Sequence, residues 1–133
     1  MEHYYWGIDI GGTKTTVGLF DERAAKLTSM TMPTDAGAGF RPLIERIAGA
    51  AEALRRARQI PRDRIVRTGV ACPGPLDLQK GTIVYIPTMG FRDEPLASSL
   101  EAALGTPVSL ENDTNAAVRG EGIFGQGKGL STV

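Results

Sequence analysis

Gly7-Ile8-Asp9-Ile10-Gly11-Gly12-Thr13-Lys14 runs directly into Thr15-Thr16-Val17-Gly18-Leu19-Phe20. The apolar run from Tyr4 to Ile10 carries one carboxylate, meets two glycines, and leaves in a second run rich in Thr, Val, Leu and Phe. Such residues favour strands, so the stretch reads as strand, glycine turn, strand. The residues after the glycines decide the class. A P-loop or a dinucleotide fingerprint passes from its glycines into a helix whose N-terminus holds the phosphate. Here the run after Lys14 is β-branched and aromatic with Gly18 inside it, a poor helix and a good strand.

A glycine hairpin can still cradle phosphate, because glycines let backbone N–H groups come close to an anion. Thr13 adds a hydroxyl, Lys14 a positive charge, and Asp9 at the strand end a hard oxygen ligand for Mg²⁺, held directly or through water. The same residues also fit an ordinary tight hairpin in which Asp9 is only a turn-stabilising acceptor.

The 133 residues suffice for one domain with a real core. Fifteen basic and fifteen acidic side chains cancel, which argues against a nucleic-acid or polyanion surface. A single cysteine excludes an internal disulfide framework and fits a reducing cytoplasm. No apolar run approaches a membrane span, and Met1-Glu2-His3 lacks the basic start of a signal peptide. The expectation is a cytoplasmic protein with neither membrane nor nucleic-acid partners. The one histidine, His3, lies near a terminus, so chemistry here must rest on carboxylates, main-chain donors and a bound metal. That favours group transfer.

Along the chain, Asp21-Glu22-Arg23 reads as a turn and Lys26 to Met32 as a third strand. Phe40, Leu43, Ile44, Ile47, Ala51 and Leu54 recur at three and four residues, one stripe of an amphipathic helix. Arg55, Arg56 and Arg58 crowd its end before Pro61, either as a solvated helix terminus or as a phosphate-binding cluster. Ile65 to Cys72 is an apolar strand suited to a central position, closed by the rigid loop Pro73-Gly74-Pro75-Leu76-Asp77. Cys72 reads as a small buried hydrophobe or as a reactive thiol. Gly81 to Ile86 suggests a short strand and Pro87 to Phe91 a loop; Leu96 to Leu104 a helix with Leu96, Leu100, Ala103 and Leu104 inward and Gly105 as its stop; Thr106 to Leu110 a last short strand. In Glu111-Asn112-Asp113-Thr114-Asn115-Ala116-Ala117 a strand is expected to end in polar residues and a helix to begin, running through Val118 to about Phe124. Asp113 or Thr114 could simply cap it.

Three ordered motifs carry a family resemblance. Asp9 to Thr16 resembles the first phosphate loop of the sugar kinase/actin/chaperone superfamily, and of its ROK family (repressors, open reading frames, kinases) in particular. Gly69-Val70-Ala71-Cys72-Pro73-Gly74-Pro75-Leu76-Asp77 is similar to that family's GxxxPGPxD segment, and Leu110 to Glu121 to its ENDxNAAxxGE segment. The resemblance spans Tyr5 to Val133. It implies an α/β, ribonuclease H-like (actin-like ATPase and sugar kinase) domain, with a mixed five-stranded sheet and flanking helices.

It also implies ATP- and Mg²⁺-dependent phosphorylation of a sugar hydroxyl. Asp113 would be the general base, accepting the proton of the attacking hydroxyl. Asn112, with a donor and an acceptor on one amide, would hold neighbouring hydroxyls. Gly74 would let the sugar lie close to the backbone, with Glu111 and Thr88 in the same pocket. Gly11, Gly12, Thr13 and Lys14 would steady the phosphate beside Asp9 and its metal. Glucokinase-like relatives carry asparagine where this chain has Thr88, which leaves hexoses, N-acetylglucosamine and N-acetylmannosamine all open as substrates. Family kinases are roughly twice as long, so the expectation is an N-terminal domain, inactive alone, from a homo-oligomeric parent. The alternative is the sugar-sensing domain of a ROK-type transcriptional regulator.

Overall fold

The computed structural model describes residues 2–111. Its elements are β1 (Tyr4–Ile10), β2 (Lys14–Phe20), β3 (Lys26–Pro33), α1 (Phe40–Ala57), β4 (Ile65–Ala71), β5 (Leu76–Asp77), β6 (Thr82–Ile86), β7 (Phe91–Glu94), α2 (Leu96–Leu104) and β8 (Val108–Glu111). Five strands form one sheet in the order β3-β2-β1-β4-β8. The first three make an antiparallel meander, and β4 and β8 add in parallel beyond β1. The expected mixed sheet is present.

Pleating sorts the residues of β1. Trp6, Ile8 and Ile10 join Leu43, Ile47, Leu54 and Leu100 in the main core, while Tyr5 and Phe20 form a small cluster with Ala24 and Val66 on the opposite face. There Gly7 and Gly18 stand opposite one another on β1 and β2. A Cβ on Gly7 would lie 2.7 Å from the Phe20 ring, and one on Gly18 3.0 Å from it. The paired glycines let that ring lie flat on the sheet.

The stripe on α1 buries Leu43, Ile44, Ile47, Ala50, Ala51 and Leu54 as its spacing requires. Arg55 and Arg56 are engaged within their own helix end. With Arg62 they converge on Glu52, at 2.5, 2.8 and 3.3 Å, and hydrogen bonds from Arg55 and then Arg56 hold its carboxyl down to about 2. This ion cluster precedes β4, at the end of the sheet away from the glycine turn. The Asp21 turn forms as expected, its carboxylate accepting from the N–H groups of Arg23 and Ala25.

Three expectations need correction. The segments read as loops around Pro75 and Phe91 contain β5 and β7, which pair on either side of β6 in a separate three-stranded antiparallel sheet. β5 is only two residues long and follows a proline, so it leaves no alternating signal. β7 is Phe91-Arg92-Asp93-Glu94, low in intrinsic strand preference. It is held by tertiary contacts: Phe91 meets Phe40 edge to face at 5.7 Å, and Arg92 lies 4.0 Å over the Tyr85 ring. Second, Ala103 is exposed; α2 anchors through Leu96 and Leu100, both fully buried. Third, the last strand begins at Val108, because Thr106 turns inward to bond Thr68 at 2.6 Å.

The small sheet is tied to α2 at Gly81, whose carbonyl accepts from Ala97 N–H at 2.9 Å. Gly81 has φ of +71°, and a Cβ there would lie 2.6 Å from the Ala97 methyl. Gly81→Ala is therefore expected to lower unfolding free energy by about 1–3 kcal/mol in urea titration. Adding Ala97→Gly should return only the steric part. Full recovery in the double variant would show that the left-handed backbone carries no penalty.

Candidate functional site

β1, β4 and β8 run parallel, so their carboxyl ends share one edge of the sheet, where open α/β sheets bind ligands. The register sets Asp9 opposite Ala71 and Ala71 opposite Glu111. With strands about 4.8 Å apart, the three motif-bearing segments end side by side. The Cys72 N–H donates to the Glu111 carbonyl at 3.2 Å, which extends the alignment past the last ladder pair. Asp9 is half-buried between the buried Ile8 and Ile10, and pleating sends its carboxylate to the face away from the helices.

Gly11 and Lys14 close the turn, the Gly11 N–H donating to the Lys14 carbonyl at 2.9 Å. The two glycines differ in what they do. A Cβ on Gly11 would lie 2.8 Å from the Lys14 oxygen, whereas nothing lies within 4 Å of the Cβ position of Gly12, and neither has left-handed φ. Gly11 is required by the turn. Gly12 leaves open space that a side chain would fill. Thr13 and Lys14 are exposed beside it, which places a hydroxyl and a cation next to that space.

Sequence reasoning missed Thr34, which is fully buried. Its N–H donates to the Thr13 carbonyl at 2.9 Å and its hydroxyl to the Gly11 carbonyl at 2.7 Å. Its hydroxyl also pairs with that of Thr15 at 2.7 Å, and the Arg46 guanidinium donates to its carbonyl. No local sequence pattern marked it, because its partners lie far away along the chain.

Cys72 is 3% exposed, and burial, with a smaller push from the Asp9 charge, raises its thiol to about 12. The reading as a small buried hydrophobe holds. Gly74 lies in the exposed loop between β4 and β5, and its peptide bond to Pro75 is cis. Thr88 is exposed in the turn between β6 and β7, anchored by the buried Met89. The pairing of Leu76 with Ile83, and the Val84 N–H to Pro75 carbonyl bond of 3.0 Å, bring this turn back to the Pro73–Pro75 end of the small sheet. Glu111 is half-buried at the end of β8. Asn112 and Asp113 lie outside the described residues. Among the described residues, a hollow of about 370 Å³ between α1 and α2 is lined by Trp6, Arg55, Arg62 and Leu104 and includes none of the motif residues.

Fold and edge together define a ribonuclease H-like domain of the actin-like ATPase and sugar kinase type. The chain belongs to the ROK family, whose model matches residues 5–133. It is 38% identical over 127 residues to the glucokinase of Streptomyces coelicolor, covering 96% of this chain and 38% of that protein. It is 30% identical over 111 residues to the N-acetyl-D-glucosamine kinase of Vibrio atlanticus, covering 84% of this chain and 35% of that one. Among solved structures it resembles a ROK family glucokinase from Streptomyces griseus in complex with glucose and AMPPNP. That match has a TM-score of 0.72 at 30% identity, over 97% of this chain and 38% of the other. The chain thus spans less than half the length of these relatives.

The contrast between the two glycines can be measured. Gly12→Ala should keep its unfolding midpoint, within about 0.5 kcal/mol of the parent chain, while Gly11→Ala should lose about 1–3 kcal/mol to the collision with Lys14. Equal losses would mean that the space over Gly12 is closed in solution. Native Cys72 should resist iodoacetamide well above pH 9, the range in which an ordinary thiol ionises, and react freely only once urea unfolds the chain. Rapid native labelling at pH 9 would overturn the buried assignment.

Proposed function

We propose that this chain supplies the N-terminal half of an ATP-dependent sugar kinase that phosphorylates a hydroxyl of a hexose or N-acetylhexosamine. The observation that carries the reading is the single edge holding Asp9, the glycine turn, the Pro73–Pro75 loop and Glu111. The glucokinase and N-acetylglucosamine kinase relatives supply the substrate class, and the glucokinase solved with AMPPNP supports ATP as donor.

The sugar hydroxyl oxygen bonds to the γ-phosphorus as the bond from that phosphorus to the β–γ bridging oxygen breaks, and ADP leaves. Asp113 takes the hydroxyl proton. Asn112 holds adjacent hydroxyls, Thr88 and Glu111 add polar contacts, and Gly74 lets the ring approach the backbone. Gly12, Thr13 and Lys14 bind the transferring phosphate. Asp9 would hold Mg²⁺, which supplies neutralisation of phosphate charge in the loose transition state. The remaining part of the cleft comes from the length that the relatives have beyond this span, so the isolated 133-residue chain is inactive.

The test is a coupled assay with MgATP on the full-length parent, against a panel of hexoses and N-acetylhexosamines, beside Asp113→Ala. One preferred sugar is expected, with turnover falling about 10²–10⁴-fold in the variant and sugar affinity largely kept. Undiminished turnover in Asp113→Ala would remove that residue from its role. Sugar binding without turnover on any substrate would make the protein a sensor, and steady turnover by the 133-residue chain would overturn its half-site assignment.

A further inference from the structure

We infer that Thr34 is a positioning residue that aims the phosphate-binding turn; the role in turnover, though not the geometry, rests on the kinase reading above. Thr34 belongs to none of the three motifs. Yet it holds two carbonyls of the turn, Gly11 through its hydroxyl and Thr13 through its N–H.

Chemistry settles the direction of each bond. A carbonyl can only accept, so the hydroxyl proton of Thr34 goes to Gly11. In the 2.7 Å contact between the two hydroxyls, Thr15 is then the donor and Thr34 the acceptor. The result is a directed relay from Thr15 through Thr34 to Gly11. Arg46 on α1 completes it by donating to the Thr34 carbonyl, so the turn is referred to the helix as well as to the sheet.

The peptide plane converts this clamp into a function. In a trans peptide the N–H lies opposite the C=O. Holding the Gly11 carbonyl toward Thr34 therefore turns the Gly12 N–H the other way, away from the α1 side and toward the face that carries Asp9. On the same residue, nothing lies within 4 Å of the Cβ position. Without the Thr34 hydroxyl the Gly11 peptide is free to rotate, and the donor loses its aim.

A purely structural role has a built-in control. Thr68 and Thr106 form a second buried hydroxyl pair, 2.6 Å apart, in a different part of the sheet. Thr34→Val and Thr68→Val each remove one hydroxyl from a buried pair, so similar losses of global stability are expected. Thr34→Ser keeps the donor.

Hydrogen exchange in the 133-residue chain reads the turn without reference to activity. In Thr34→Val the Gly11 amide, protected by its bond to Lys14, should exchange about tenfold faster, while Thr34→Ser and Thr68→Val leave it near the parent rate. In the full-length parent, Thr34→Val should raise the KM for MgATP about tenfold with the KM for sugar unchanged, and Thr34→Ser should restore it. Equal Gly11 exchange in the Thr34→Val and Thr68→Val chains would overturn the inference whatever the enzyme does. Faster Gly11 exchange with no turnover in any form of the parent would uphold the clamp and fault the kinase reading. Faster exchange with an unchanged KM for MgATP would overturn the link between clamp and phosphate.

Discussion

The parallel registration of β4 between β1 and β8 is the constraint on which everything else rests. A one-residue slip in either pairing would turn each side chain to the other face. A slip of β1 would send Asp9 into the core and put an isoleucine at the open edge, and a slip of β8 would do the same with Glu111 and Leu110. The pattern of burial resists that slip. Val70 stands between Ile8 and Leu110 in register, and all three are buried in the same core. Burying three such side chains contributes several kcal/mol, at about 1.5–3 kcal/mol each. The carboxylates at the strand ends are placed by the hydrophobic residues next to them.

The two ends of the sheet treat charge in opposite ways. At the amino ends of the parallel strands, Glu52 is saturated by three guanidiniums, and its depressed pKa records charges already matched. Arg55 is further committed to the Ile60 carbonyl at 2.8 Å. At the carboxyl ends, the exposed Lys14 stands beside an open turn. The arginines gather at the end that holds their shared partner Glu52, whereas Lys14 stands at the end where the motif-bearing strands finish.

Much of this was legible in the sequence, for reasons that can be named. The hairpin, α1, β4 and α2 announced themselves because each buries one face over a length that fits its period: Tyr4–Ile10, Phe40–Ala57 and Leu96–Leu104 appear as their spacing foretold. β5 and β7 were illegible because pairing with β6, rather than composition, makes them strands. Ala103 misled because an alanine carries almost no signal as to which side of a helix it faces. Of the candidate site, Asp9, Gly11, Gly12, Thr13, Lys14, Gly74 and Glu111 were marked by motif and Thr88 by its departure from the relatives' asparagine, and the register assembles Asp9 and Glu111 along one edge. Thr34 was invisible for a different reason. Its importance lies in four hydrogen-bonding connections to residues between 12 and 23 positions away, and no local pattern encodes those.

Arg46 shows what the turn costs. Its Nε is buried with no hydrogen-bond partner among the described residues, a penalty of about 1–3 kcal/mol. An apolar residue at that position of α1 would avoid the penalty and would leave the Thr34 carbonyl to find another donor. Stability alone therefore does not select this arrangement. The same holds for Gly12, where neither backbone angle nor neighbouring atoms demand a glycine, and where any other residue would cost the unfolded chain less entropy. Arg46, with one buried nitrogen unsatisfied among the described residues, and Gly12, with open space at its Cβ position, lie near the same turn. Departures from local optimality that cluster in this way are expected where a ligand must fit. Here they coincide with the edge at which Asp9 and Glu111 emerge.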